Sequence, residues 1–291
     1  MIDRVLGIIL PVFAVIVLGY LYARRVKPDM TTVNRINMNV LSPALIFSAL
    51  ASKDFDAVAN WKLMLGSVGV VVGCGLLAWP LARLARVDPR TLVPPIMFNN
   101  CGNMGLPLAV LAFGAAGFGP MVALFTISNL LHFTLGVWII NHHAKFANLL
   151  RNPMVLATFA GFAFALTHPT LPEWVMTAIR MVGDAMIPLM LLSLGARLAD
   201  VRWDAARLGI VGGIACPVTG LLMALALAPA LGLDGTQRGL LILFGALPPA
   251  VLNFMVAEAF RQEPHKVASI VLIGNVLSVV FVALGLTLAL H

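Results

Sequence analysis

Apolar residues run along this chain in long stretches rather than in the short amphipathic patterns of a water-soluble fold. About 20 apolar residues suffice to cross a bilayer. Ten such stretches are legible, at about 5–23, 32–50, 62–85, 92–113, 118–141, 152–168, 174–197, 206–231, 236–260 and 266–290. The connections between them are short, which leaves no room for a separate soluble domain. Stretches four and nine carry prolines in mid-membrane, Pro107 in one and Pro248-Pro249 in the other. Such a break frees backbone groups that lipid does not satisfy, so it survives only where it faces protein or a water-filled cavity. The pattern predicts an all-α integral membrane protein of ten transmembrane helices, two of them broken.

Composition agrees. Hydrophobic residues make up 60% of the chain, charged residues only 11%, and mean hydropathy is +0.98; soluble domains are ~25% charged. A net charge of +7 raises the question of nucleic acid, but the basic residues are scattered through the connections rather than gathered in a run, so no nucleic-acid partner is expected. Fourteen of the nineteen Lys and Arg residues lie near connections that follow odd-numbered spans: Arg24, Arg25, Lys27, Arg35, Arg83, Arg86, Arg90, Lys145, Arg151, Arg197, Arg202, Arg207, Arg261 and Lys266. The positive-inside rule places those connections in the cytoplasm and both termini outside it. The first span follows directly on Met1-Ile-Asp-Arg4 with no convincing cleavage site, and is expected to be retained. Cys74, Cys101 and Cys216 have no paired or metal-ligand spacing and read as small hydrophobes; neither cofactor nor metal is implied.

The chain also repeats itself. Leu106-Pro-Leu-Ala-Val-Leu-Ala-Phe113 returns 141 positions later as Leu247-Pro-Pro-Ala-Val-Leu-Asn-Phe254. Residues 11–23 match 153–165, Pro43 matches Pro188, and Ile127-Ser-Asn-Leu-Leu131 matches Ile273-Gly-Asn-Val-Leu277, at offsets of 142, 145 and 146. Four collinear matches indicate a duplication into residues 1–146 and 147–291. Five spans per half is an odd number, so the second half enters the membrane inverted, giving a 5+5 inverted repeat. Inverted repeats underlie alternating access, with the site where the broken helices meet.

Polar residues concentrate at those breaks. Asn99, Asn100 and Asn103 share a turn or two with Gly102, Gly105 and Pro107, and Asn253 follows Pro248 and Pro249. Interhelical hydrogen bonding is one use for these amides; solute contact is the other, and the clustering at a repeated break favours it. Asn99, Asn100, Asn103 and Asn253 are therefore the candidate substrate-binding residues, with Gly105, Pro107, Pro248 and Pro249 shaping the helix crossing. The N-terminal ends of the half-helices would present unpaired N–H groups and partial positive charge, a cradle for an anion. Asp184 in span seven is a candidate for proton or sodium coupling, with Asn39 opposite it by the repeat offset, although Arg180 one turn earlier offers it a structural partner. His132 shares a face with Asn129 and is either a coupling residue or a packing one. Glu258 and Arg261 are spaced for a local ion pair.

These motifs resemble the auxin efflux carrier family, over the whole chain. The segments that carry the resemblance are Leu41-Ser-Pro-Ala-Leu-Ile-Phe47, Asn100 with Met104-Gly-Leu-Pro-Leu108, Leu192-Ser-Leu-Gly-Ala-Arg-Leu198, and Leu247-Pro-Pro with Phe254-Met-Val-Ala257. The resemblance implies a sodium/proton-antiporter-like or bile-acid-symporter-like architecture in which spans four and nine cross. It implies a scaffold of spans one, two, six and seven, a transport domain of spans three to five and eight to ten, an elevator-like movement, a homodimer, and the inner membrane of a bacterium. The family's asparagine falls on Asn100 and its crossover prolines on Pro107 and Pro248. The long loop of plant members is missing between the halves, where only about residues 141–152 connect, and Asn253 replaces a further proline. Both departures speak against the plant hormone as substrate.

The expected function is secondary transport of small organic anions, with carboxylates foremost. A sodium-coupled organic anion symporter of the bile-acid-carrier type is the alternative, in which Asp184, Glu258 and the amides of span four would be cation ligands. An intramembrane lipid-modifying enzyme needs paired acidic residues or a nucleophile with its base; the membrane interior offers one carboxylate, Asp184, and no pair, so no enzyme is expected.

Overall fold

The computed structural model describes residues 2–52, 55, 58–142, 152–167, 169, 171–199 and 205–291. In chain order its helices are α1 (Ile2–Val26), α2 (Met30–Ile36), α3 (Ser42–Leu50), α4 (Trp61–Leu84), α5 (Pro89–Met97), α6 (Leu106–Phe113), α7 (Ala115–Leu131) and α8 (Val137–Ile140). They continue with α9 (Pro153–Thr167), α10 (Glu173–Asp184), α11 (Met186–Leu198), α12 (Ala206–Ala230), α13 (Gly235–Ala246), α14 (Val251–Ala259) and α15 (Pro264–Ala289). Wider π-helical turns at Asn37–Leu41, Cys101–Gly105 and His132–Gly136 join α2 to α3, lead into α6, and join α7 to α8. Among the described residues the single β-type pairing is an isolated bridge between Asn99 and Pro249.

Among the described residues six helical stretches are long and apolar enough to cross a membrane: Asp3–Val26, Trp61–Leu84, Ala115–Ile140, Glu173–Leu198, Ala206–Ala230 and Pro264–Ala289. They cover the first, third, fifth, seventh, eighth and tenth predicted spans. The sixth is the 15-residue α9, the second is divided by a π-helical turn, and the fourth and ninth are interrupted outright. This is a multi-pass α-helical membrane protein. Lys145, Arg151, Arg202, His143 and the boundary between the predicted halves lie outside the described residues.

Small residues set the closest helix contacts, as they do where no hydrophobic driving force separates one apolar surface from another. Gly19 and Gly195 lie against backbone of Leu192 and Ile16, so α1 and α11 approach with no space for a Cβ on either side. Gly213 does the same against Gly274, joining α12 to α15. α3 packs on α9 and α10, while α4 packs on α5 and α12. α10 and α11 turn much of their surface outward, with Trp174 and Met181 exposed, whereas α7 and α15 run through the interior.

One local feature recurs beyond the reach of residue matching. At the end of α4, Val87 N donates to Ala82 O and Arg86 N to Arg83 O; at the end of α12, Leu233 N donates to Ala228 O and Gly232 N to Pro229 O. Both ends turn through a left-handed residue, Arg86 at φ 56° and Gly232 at φ 63°, the geometry that satisfies a helix's last carbonyls. An arginine and a glycine perform the same turn, so sequence comparison passes over the match. Asp88 then caps α5 by accepting from Arg90 N at 2.9 Å, with Pro89 in the first turn, where a missing N–H costs nothing.

Candidate functional site at the helix crossing

The two interrupted spans meet at Phe98–Asn100 and Pro248–Ala250 and complete each other. Leu247 is extended because a proline follows it, and Pro248 and Pro249 supply no N–H. The freed groups find partners across the crossing: Asn100 N donates to Pro248 O at 2.7 Å and Ala250 N to Phe98 O at 2.9 Å. Side-chain amides take up the remainder. Asn99 Nδ2 donates to Phe244 O at 2.6 Å, and Asn253 Nδ2 to Phe98 O at 2.8 Å and Ala250 O at 3.0 Å. Asn100 Nδ2 donates to Asn275 Oδ1 at 2.9 Å, and Asn275 Nδ2 donates in turn to Pro249 O at 2.9 Å. All four asparagines are buried, so the amides stand in for water that the membrane interior withholds.

The first interruption falls earlier than the proline pattern predicts. The chain unwinds at Phe98–Asn100, and from Cys101 it is already helical with π-type winding: Gly105 N and Leu106 N donate to carbonyls five residues back, Asn100 O and Cys101 O. Pro107 then enters α6 among its first residues, where the slipped hydrogen-bond register spares it the usual clash with the preceding turn. Gly105 and Pro107 therefore belong to the half-helix that follows the crossing, while Pro248 and Pro249 form the crossing itself. Gly105 serves packing, since a Cβ there would meet Leu247 Cδ1 at 2.9 Å.

Beside the crossing lies a cavity with a volume of about 60 Å³ open to the centres of water-sized spheres, enough for several waters or a small solute. All three π-helical turns reach it, contributing Met38, then Cys101, Gly102 and Asn103, then His132; such turns are frequent at functional sites. Polar side chains of its lining include Asn99, Asn100, Asn103, Ser128, Asn129 and His132. Five of the fourteen methionines, Met38, Met154, Met186, Met190 and Met255, line the same space and offer adaptable apolar contact to a carbon skeleton. The first residues after each break, Cys101 to Asn103 and Val251 to Leu252, also face it, so two helix N-terminal ends turn their partial positive charge inward.

The polar groups divide by duty. Asn99, Asn100 and Asn253 spend their N–H groups on the crossing, and Asn253 stands outside the cavity lining. Asn103 and Asn129 make no side-chain hydrogen bond to any described residue and line the cavity. Asn99 Oδ1, His132 Nε2 and Ser193 Oγ are buried on the cavity wall without a partner among the described residues, an arrangement that invites a polar occupant. His132 is stacked on Phe98, with ring centroids 4.1 Å apart and planes within 6°, which fixes its orientation toward the crossing.

Asp184 and Asn39 are exposed and stand away from the cavity, as does Glu258. The buried amide of that first-half segment is Asn37, which donates to Met190 Sδ at 2.7 Å. Asn39 lies within the π-helical turn at Asn37–Leu41 and, like Asp184, faces outward, while Asn37 faces inward. Sequence reasoning also missed Arg197. Counted there among the cytoplasmic charges, it sits in the last turn of α11, lines the cavity, and holds its guanidinium carbon 5.6 Å from the centroid of the Phe254 ring. Asn275 had signalled only through its repeat match with Asn129.

Comparison with known proteins bears on what such a site serves. The membrane transport protein family matches residues 4–147 and, again, residues 143–286. A relative from Rhizobium meliloti named "Putative malonate transporter" is 26% identical over 95% of this chain and 93% of its own. One from Methanothermobacter thermautotrophicus named "Uncharacterized transporter" is 24% identical over 94% of both chains. Auxin efflux carrier component 3a of Oryza sativa is 26% identical over 45% of this chain and 22% of its own. Helices that cross a membrane, an interruption satisfied across a crossing and these matches agree: the chain is a transporter, not an enzyme, and belongs to the membrane transport protein family that includes the auxin efflux carriers.

Proposed function

We propose that this protein is a secondary transporter of small organic anions, carboxylates foremost, which bind in the cavity beside the crossing. The observation that carries the reading is that two helix N-terminal ends and the uncommitted amides of Asn103 and Asn129 face one cavity. No aspartate or glutamate is among the described residues lining it, which favours an anion over a coupled cation as the occupant of this cavity. The malonate named for one relative is a carboxylate of this class. In this reading ten spans form a 5+5 inverted repeat, in keeping with the four collinear sequence matches between the halves. The bundle of spans three to five and eight to ten moves against spans one, two, six and seven, in a homodimer of the inner membrane with both termini outside. Export of a net negative charge would be driven by an inside-negative potential at about 2.3 kcal/mol per charge per 100 mV.

Counterflow in proteoliposomes tests this without assuming a driving force. Labelled malonate, malate, succinate and an indole acid are offered to the purified protein. The expected result is saturable exchange of at least one of them, unaffected by replacing sodium and weakened in Asn103→Ala, a variant that breaks no hydrogen bond between described residues. Silence across the panel from well-folded protein would refute the anion reading.

A further inference from the structure

A second cavity adjoins the first. It has a volume of about 150 Å³ and is lined by Arg197, Val251, Phe254, Ala268, Val271 and Leu272. Arg197 and Val251 line both spaces. In the second, Arg197 is the sole polar side chain among the described lining residues, and in the first it is the sole side chain of fixed charge. Its place in the last turn of α11 suits a cation, and the Phe254 ring beside it gives the guanidinium a further partner. Apolar walls raise the attraction between that guanidinium and any anion that enters, and the planar fork pairs naturally with a carboxylate.

We infer that Arg197 anchors the carboxylate of the transported anion, and that the second cavity is a separate anion station from which the solute is passed, by way of this one side chain, to the crossing. The inference rests on the organic-anion reading above. Among the described lining residues a neutral solute meets no polar side chain but Arg197, so selection for charge is made there, before the crossing is reached. Ala268 lies near the start of α15, which the distribution of basic residues assigns to the cytoplasmic side; the second station thus faces the cytoplasm. Phe254 lies on α14, just beyond the second interruption, and Arg197 on α11. A movement of one helix against the other would therefore alter the boundary between the stations.

The test pairs equilibrium binding of acetate, malonate and their amides, by calorimetry on purified protein, with counterflow of the carboxylates. Wild type should prefer each carboxylate to its amide. Arg197→Gln should lose roughly ten- to a hundredfold in carboxylate affinity, the range of a charge-assisted hydrogen bond, while amide affinity stays level. Arg197→Lys keeps the charge without the fork, and should retain the preference at several-fold lower affinity. Ala268→Phe, which fills the second station, should exchange at least tenfold more slowly than wild type, as expected of a blocked path. Monodisperse elution and an unchanged unfolding midpoint establish that each variant is folded. Should wild type bind no carboxylate, the anion reading and the anchor fail together. Arg197→Gln binding carboxylates as wild type does would overturn the anchor alone, as would equal loss in the Gln and Lys variants. Full exchange in Ala268→Phe would overturn the second station.

Discussion

Asn100 is where family resemblance and geometry make different predictions. As a substrate ligand alone it would be dispensable to the fold, whereas the structure makes it one end of a relay from Asn100 Nδ2 to Asn275 Oδ1 and from Asn275 Nδ2 to Pro249 O, each step 2.9 Å. Asn275→Ala removes both interhelical bonds and Asn100→Ala removes one. Net hydrogen bonds are worth about 0.5–1.5 kcal/mol, with membrane measurements averaging about 0.6. Asn275→Ala should therefore cost about 1–3 kcal/mol and Asn100→Ala about half of that. The double variant should fall short of the sum by about 0.5–1.5 kcal/mol, because the shared bond is lost only once. Reversible unfolding in mixed micelles, followed by tryptophan fluorescence, measures all four corners of the cycle. A coupling below about 0.3 kcal/mol, within ordinary additivity, would refute the relay and return Asn100 to a purely ligand-binding role.

Two further outcomes are open to measurement. Hydrogen bonds from Lys266 and Thr91 hold the Glu263 carboxyl below its usual range; at Asp88 burial pushes upward, but bonds from Arg90 and Gln262 outweigh it and the net direction is also down. Both carboxyls bind protons more weakly folded than unfolded, so their contribution to stability is complete above the ordinary carboxylate range near 4 and is lost as pH falls through the lower folded values. The unfolding midpoint of wild type should decline on acidification below about pH 4.5, and Glu263→Gln should flatten that decline; an identical slope would exclude Glu263 as a contributor. His132→Phe keeps the stack on Phe98 and removes a buried Nε2 that has no partner among the described residues. Stability should stay within about 1 kcal/mol of wild type or rise, while carboxylate affinity in counterflow falls. Unchanged affinity would leave His132 a packing residue.

What the chain carries in its own order is membrane character, helix and the neighbourhood of the site. Those follow from local quantities: stretches of about 20 apolar residues, and prolines with asparagines inside them, which lipid tolerates only at a satisfied break. Pro248 and Pro249 marked the second interruption directly because a proline acts on the residue before it. The first was misplaced toward Pro107 because the cause of unwinding at Phe98–Asn100 is not local. It lies 150 residues away, in Pro248 O and Ala250 N, which supply the partners the chain gives up by leaving its helix. Tertiary structure likewise decided which asparagines brace the crossing and which keep their amides uncommitted. An amide's duty depends on the carbonyl that reaches it, and Phe244 O, Phe98 O and Pro249 O come from the opposite half of the crossing or from its neighbour. Asn37 and Asn39 stand two residues apart in one π-helical turn, and only packing decides that Asn37 is buried and Asn39 exposed. Arg197 shows the limit most plainly, since a basic residue at the end of an apolar stretch reads as topology in one dimension, and only the packing of α11 against the crossing puts its charge at the wall of two cavities.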